Sequence, residues 1–231
     1  MKKQITYIVL MIFFLGGYSQ RTIISQNVED DIAPESYGKN LNNYFHFYLG
    51  YGTLVFQSEA GSEVILPSSG EFELGLRYKK SLNRHFNLGF NVAYRSRGFK
   101  LSQVDTKTFP NGTLHDYEKL RFYEADFSIY ERINFGKIGN DIGKFWDLGV
   151  YAAVPVLVTH TTTNKMSNGN KVITQLRGLN YINSYNYGVE TRFAIKRYVI
   201  WARYRFSDQF TEDSGYAEMG RLSLGLQIGF H

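Results

Sequence analysis

The chain has 231 residues, a formal charge of +5 and a mean hydropathy of -0.30. That is enough for one domain; 0 Cys excludes a disulfide framework and thiolate metal sites, and the lack of any Lys/Arg run removes the case for nucleic acid as a partner. The 18 Tyr, 18 Phe and 22 Gly are high for so low a hydropathy, a combination expected of a β-barrel that shows only alternate residues to lipid.

Met1-Lys2-Lys3, the apolar run from Ile5 to Leu15, and the small residues Gly17 and Ser19 read as a secretory signal over residues 1–19, cut before Gln20. The run is too short to span a bilayer. Residues 20–42 are polar, with Glu29-Asp30-Asp31 and Pro34, and read as a flexible periplasmic segment. Residues 43–231 read as the barrel.

Eight segments then alternate with period two. Tyr44 to Val55 sets Phe45, Phe47, Leu49 and Tyr51 against Tyr44, His46, Tyr48 and Gly50. Glu71 to Lys79 sets Phe72, Leu74, Leu76 and Tyr78 against Glu71, Glu73, Gly75, Arg77 and Lys79. His85 to Arg95 sets Phe86, Leu88, Phe90, Val92 and Tyr94 against Asn87, Gly89, Asn91, Ala93 and Arg95. The fourth, Phe122 to Ile133, opposes Tyr123, Ala125, Phe127 and Ile129 to Glu124, Asp126, Ser128 and Tyr130. In the fifth, Trp146 to Val158, the even-numbered residues through Val158 face out and Asp147, Gly149, Tyr151 and Ala153 face in. Tyr185 to Ile195 and Tyr198 to Phe206 carry Glu190, Arg192, Arg203 and Arg205 inward. The last, Arg221 to His231, turns Leu224, Leu226, Ile228 and Phe230 outward.

The connections sort by end. Those at Ser81–Arg84, Asn134–Phe145 and Lys196-Arg197 are shorter; those at Phe56–Gly70, Ser96–Arg121, Thr159–Ser184 and Ser207–Gly220 are longer and polar. Outer-membrane barrels have short periplasmic turns, long extracellular loops and an even strand count. The fold class is therefore all-β, an eight-stranded antiparallel transmembrane barrel of the outer-membrane type. Both termini are expected in the periplasm and the long loops outside the cell.

The inward row carries Glu71, Glu73, Arg77, Lys79, Arg95, Glu124, Asp126, Glu190, Arg192, Arg203, Arg205 and Arg221. Such a row is either a proton or ion path or an electrostatic core in place of a hydrophobic one. The second is favoured, because side chains fill an eight-stranded interior and buried charges persist when paired. With a two-residue turn at Lys196-Arg197, Glu190 lies opposite Arg203 and Arg192 opposite Trp201; a four-residue turn keeps the facing rows and puts Glu190 opposite Arg205 instead, so either register gives the acid an arginine. Catalysis has a weaker case: His160 with Thr161, Thr162, Thr163 and Ser167 resembles any Thr-rich loop, and no HExxH, phosphate-binding or dinucleotide motif occurs. No enzymatic activity, catalytic residue, metal or cofactor is expected. The outward Leu224, Leu226, Ile228 and Phe230 are expected to close the barrel and to serve as its assembly signal.

The Ser19-Gln20 signal end, the Tyr-rich first strand, Phe122-Tyr123-Glu124-Ala125-Asp126 and Asp147-Leu148-Gly149-Val150-Tyr151 together resemble the small PorT-like outer-membrane barrels of Bacteroidota. The resemblance implies an outer-membrane location and a structural or accessory role in an envelope assembly, with type IX secretion and gliding machinery as candidates. A surface barrel of OmpX type, binding external ligands through its loops, is the alternative, and a lipid-modifying enzyme the more distant one. Expected partners are outer-membrane lipids and lipopolysaccharide, the barrel-assembly machinery, and an envelope protein complex.

Overall fold

The computed structural model describes residues 38–39, 41–55, 59–83, 85–135 and 142–230. The expected signal peptide, most of the segment after it, and His231 lie outside these residues. The strands are β1 (Asn43–Leu54), β2 (Gly70–Ser81), β3 (Phe86–Lys100), β4 (Tyr117–Phe135), β5 (Lys144–Lys165), β6 (Lys171–Arg177), β7 (Asn186–Ile195), β8 (Tyr198–Arg205) and β9 (Leu222–Phe230). Antiparallel pairing runs β1-β2-β3-β4-β5-β7-β8-β9, and β9 pairs with β1 from Phe47↔Phe230 to Leu54↔Ser223. Eight strands thus close a barrel and remove its sheet edges. The ninth, β6, pairs with the far end of β5 and forms an arm beside the closed ring.

Burial in the wall is the reverse of that in a water-soluble barrel. Phe127 and Ile129 on β4 are 52% and 60% exposed, whereas Glu124 and Asp126 between them are buried. β1, β2, β3, β7, β8 and β9 repeat this pattern. An apolar outer face with a charged interior satisfies lipid outside and leaves the backbone bonded around a closed ring. This is a transmembrane barrel of the outer-membrane type.

Near Tyr123 the rule reverses within a single strand. Phe122 and Leu120 point inward and are fully buried, while Arg121 and Lys119 take over the outward row. On β3 the inward row passes from Arg95 and Arg97 to Phe99, and the outward row from Tyr94 to Ser96 and Lys100. A register shift between Tyr123 and Glu124 marks a bulge in β5. It leaves Val156 and Leu157 both exposed, Val158 inward opposite Phe122, and Thr159 outward opposite Arg121. Beyond this level the outer row of β3 and β4 is polar and the inner row mostly apolar, as for a domain in water, with Glu118 and His160 as a buried polar pair among it.

Three expectations are corrected here. β3 runs to Lys100, β4 starts at Tyr117 and β5 continues to Lys165, so much of the sequence expected as loop at Ser96–Arg121 and Thr159–Ser184 is strand. The latter stretch also contains β6. Val158, expected outward, faces inward because the bulge shifts the alternation by one residue. Arg221 leaves the inward set: it lies at the long-loop end, ion-paired with Asp208 and bonded to the carbonyl of Phe206 at 2.8 Å.

Apolar clusters occupy both ends of the lumen. At the long-loop end Leu54, Val64, Phe99, Leu101, Phe109, Leu120, Phe122, Phe210 and Met219 form a cap. Three loops supply it, and ring contacts such as Phe109–Phe210 at 4.5 Å and Phe109–Tyr216 at 4.9 Å hold them together. At the short-turn end Tyr44, Ile142, Phe145, Ala194 and Val199 form a smaller cluster.

Candidate functional site: the charged lumen and its cap

Between these clusters the inward side chains form layers. Nearest the short turns, Arg132 on β4 makes a forked pair with Asp147 on β5, Nε to Oδ1 at 2.7 Å and Nη2 to Oδ2 at 3.0 Å. Arg77 approaches the same carboxylate at 2.9 Å. Both guanidinium groups lie over aromatic faces, Arg132 3.4 Å from the Phe145 ring centroid and Arg77 3.9 Å from that of Tyr130.

The middle layer is the densest. Glu190 accepts from Arg203 at 2.7 Å, Arg192 at 2.8 Å and the Ser128 hydroxyl at 2.9 Å. Glu73 pairs with Arg192 at 3.3 Å and Arg203 at 3.4 Å, and accepts from the Tyr48 hydroxyl. Asp126 lies 3.6 Å from Arg203 and 3.3 Å from Arg95. Arg203 is the hub, within ion-pair range of Glu71, Glu73, Asp126 and Glu190. Above it, Glu124 holds Arg95 at 3.0 Å and the Nε of Arg97 at 2.8 Å.

Glycine makes room for the large rings in this row. A Cβ on Gly52 or Gly225 would lie 2.4 Å from the Trp201 indole, and one on Gly89 2.3 Å from the Tyr130 ring. The alternation of glycine with aromatic side chains is thus a packing requirement of a narrow lumen.

The structure brings Glu73, Arg95, Glu124, Asp126, Glu190, Arg192 and Arg203 into one network. The register places Glu190 opposite Arg203 and Arg192 opposite Trp201, as a two-residue turn requires. The cation nearest the indole is nevertheless Arg203, at 5.8 Å, while Arg192 lies over Tyr48 at 5.6 Å. Glu71 stands at the margin, 4.0 Å from Arg203. Lys79 donates to the Lys39 carbonyl at 3.0 Å, and Arg205 is tied to Glu218 of the last loop at 2.6 Å. Sequence reasoning missed Arg97, Arg132 and Asp147 as ion-pair members. Arg132 follows the outward Glu131 and Asp147 heads an inward row, so strict alternation carried the signal.

His160, the histidine with the best catalytic case in the sequence, lies inside the cap. Its Nε2 is 2.7 Å from Glu118 Oε1, and Lys107 holds the other carboxylate oxygen at 2.6 Å. Glu118 stands beyond Tyr123, outside the lipid-facing band. Burial pushes its carboxyl up, but hydrogen bonds from His160, Lys107 and Gln103 outweigh this and hold it below the usual range. Among the described residues no serine or threonine hydroxyl hydrogen-bonds His160, whose side-chain partner is Glu118.

Each central carboxylate is met by arginine, which does not release its proton in a protein and cannot relay one. A cavity among Leu54, Glu71, Arg97 and Phe99 measures only about 10 Å³, room for one water at most. On the outer surface Leu224, Leu226, Ile228 and Phe230 are 40–65% exposed along β9, next to the seam with β1.

No family model matches the sequence, and no curated relative matches it. Among solved structures the chain is similar to Ail, the attachment invasion locus protein of Yersinia pestis, determined in complex with the heparin analogue sucrose octasulfate. The identity is 14%, the match covers 82% of this chain and 99% of that one, and the TM-score is 0.35.

Proposed function

We propose that this chain is a non-enzymatic outer-membrane protein that acts as a sealed wall element, a structural or accessory subunit of an envelope assembly. The closed lumen carries the reading: ion pairs fill its middle and apolar clusters cover both ends. A wall that passes no solute contributes through its surfaces. In this reading residues 1–19 direct secretion, residues 20–42 lie in the periplasm with both termini, and the long loops are outside the cell. Lipids and lipopolysaccharide surround the apolar wall, and the assembly machinery recognises the outward row Leu224, Leu226, Ile228 and Phe230. The resemblance to PorT-like barrels makes secretion and gliding complexes the assemblies to examine first.

One observation favours a second reading, a surface barrel that binds an external ligand. All seven residues of the β6 arm are exposed, Val172, Ile173 and Leu176 among them, and uncommitted apolar surface of this kind usually marks a contact site.

Two measurements test the proposal. Cysteines at Asn111, Asn168 or Ser214 should react with an impermeant maleimide on intact cells, and one at Asn83 should not; the opposite pattern would invert the orientation. Affinity purification of the full chain in mild detergent should recover envelope proteins in stoichiometric amounts, with and without the β6 arm. Recovery of the barrel alone, together with arm-dependent attachment of an external ligand, would replace this reading with the second.

A further inference from the structure

Just above Tyr123, on the outside of the wall, four cationic side chains gather from three strands. Lys100 on β3 is the register partner of Lys119 on β4, and Gly98 is the partner of Arg121. Arg121 and Arg177 both pair with Thr159 of β5, one from each side, which sets their backbones two strand spacings, about 10 Å, apart. A Cβ on Gly98 would lie 3.1 Å from Lys119 Nζ and 4.0 Å from Arg121 Nε, so both side chains lie across the bare glycine. Thr159 is covered, at 4% exposure.

None of the four cations has an acidic partner among the described residues. Their contacts are neutral: Lys100 over the Tyr117 ring at 5.3 Å, Arg121 with the Tyr123 hydroxyl at 3.4 Å and Arg177 with Gln175 at 3.4 Å. The neighbouring acids of β4, Glu118 and Glu124, point inward to their own partners. Four unpaired like charges repel one another unless an anion joins them. Immediately below, the bulge at Val156 and Leu157 leaves a groove of about 490 Å³ lined by Tyr94, Tyr123, Ala125 and Leu157, with Arg177 at its rim. That groove opens onto the lipid-facing side of the barrel.

We propose that the strip and groove together bind a phosphorylated glycolipid of the outer leaflet, its phosphates on the cations and one acyl chain in the groove. Charge and shape both support this occupant: guanidinium forks match phosphate oxygens, and lipid is the solvent of the face into which the groove is cut. The choice of leaflet rests on the outward orientation of the long loops proposed above.

Native mass spectrometry of the full barrel in detergent micelles, titrated with bis-phosphorylated lipid A, tests the site. The parent protein should retain one lipid A, while the dephosphorylated form should bind at least tenfold more weakly. The triple variant Lys119→Gln, Arg121→Gln, Arg177→Gln should lose at least tenfold in retention with unchanged heat-modifiability. Ala125→Trp, which fills the groove and leaves the cations in place, should lose retention as well. Equal retention by the parent and the triple variant, or by both forms of lipid A, would overturn the proposal. So would displacement of the lipid by millimolar pyrophosphate alone, which would mark a free-phosphate site. Micelles have no sidedness, so an inverted maleimide pattern with retention intact would overturn the orientation and leave the site standing.

Discussion

The inward row of β4 holds Arg132, Ser128, Asp126 and Glu124 through the middle of the barrel, and Phe122 and Leu120 at its long-loop end. Both stretches are buried, on one strand, a few residues apart, yet the first is held by ion pairs and the second by apolar contact. What differs is the opposite face. Where Phe127 and Ala125 face lipid, the interior has to take the polar side chains. Where Arg121 and Lys119 face water, the interior returns to mostly apolar packing, with the Glu118–His160–Lys107 group as its buried polar exception. The medium outside therefore sets the chemistry inside, and the point of reversal at Tyr123 marks the membrane boundary. The comparison also explains why the cap is built largely from loop residues: above the boundary no lipid stabilises the wall, and a hydrophobic core must.

Removing the hub of the charged region should have the largest effect. Arg203 lies within ion-pair range of Glu71, Glu73, Asp126 and Glu190, so Arg203→Leu leaves four buried carboxylates short of a cation. Breaking a buried ion pair from one side costs about 3–5 kcal/mol, and the loss should appear as a lower denaturation midpoint of the heat-modifiable form. Replacing Glu190 by Leu in the same protein should recover part of it. A wild-type midpoint for the single variant would mean that the central network contributes nothing to stability.

The lipid-facing stretches were readable in the sequence because alternation there pairs a large apolar residue with a polar or small one. Phe86 to Tyr94 shows it without a break, and so does Leu224 to Phe230. Legibility stopped at the boundary, where Ser96, Lys100, Lys119 and Arg121 replaced the apolar outer row and strand looked like loop. Val158 was misplaced for a related reason: a one-residue bulge changes the face of every later residue, and composition does not announce it. In the site, most acids and arginines within the recognised strands were visible as one row, while Arg132 and Asp147, on the same face, were passed over although the alternation pointed them inward. Arg97 and Glu118 were hidden because they stand on the strand extensions beyond the boundary. Which acid meets which arginine depended on closing the ring, since Arg192 on β7 reaches Glu73 on β2 across the lumen.

A cut into the cap should be smaller in reach. Leu120 is fully buried among Phe99, Leu101, Phe122 and Phe210 in the apolar cluster, and Leu→Ala at such a site costs about 2–5 kcal/mol, with about 3 expected here. Because the charged layer below keeps its own contacts, the loss should stay local. Limited proteolysis should cut the long loops around Asn111 and Ser214 faster, while the folded barrel band persists in semi-native gels. Collapse of the whole barrel at the Arg203→Leu midpoint would show that cap and lumen form one cooperative unit and are not two regions.

The smallest effect should come from a charge placed at the boundary itself. Tyr123 is half-buried at the level where the outer row changes from apolar to basic, and arginine at a membrane interface costs about 0–1 kcal/mol against about 2–4 near the midplane. Tyr123→Arg should therefore shift the folding midpoint little, since the long side chain can extend toward the level of Arg121. Phe127→Arg, on the same face of the same strand, is 52% exposed to the lipid side and should show the full penalty when refolded into bilayers. In detergent micelles, which thin around a charge, the two should draw together. Equal penalties in bilayers would move the boundary above Tyr123, place Lys119 and Arg121 within the hydrocarbon band, and remove the physical basis for reading the reversal in β4 as the edge of the membrane.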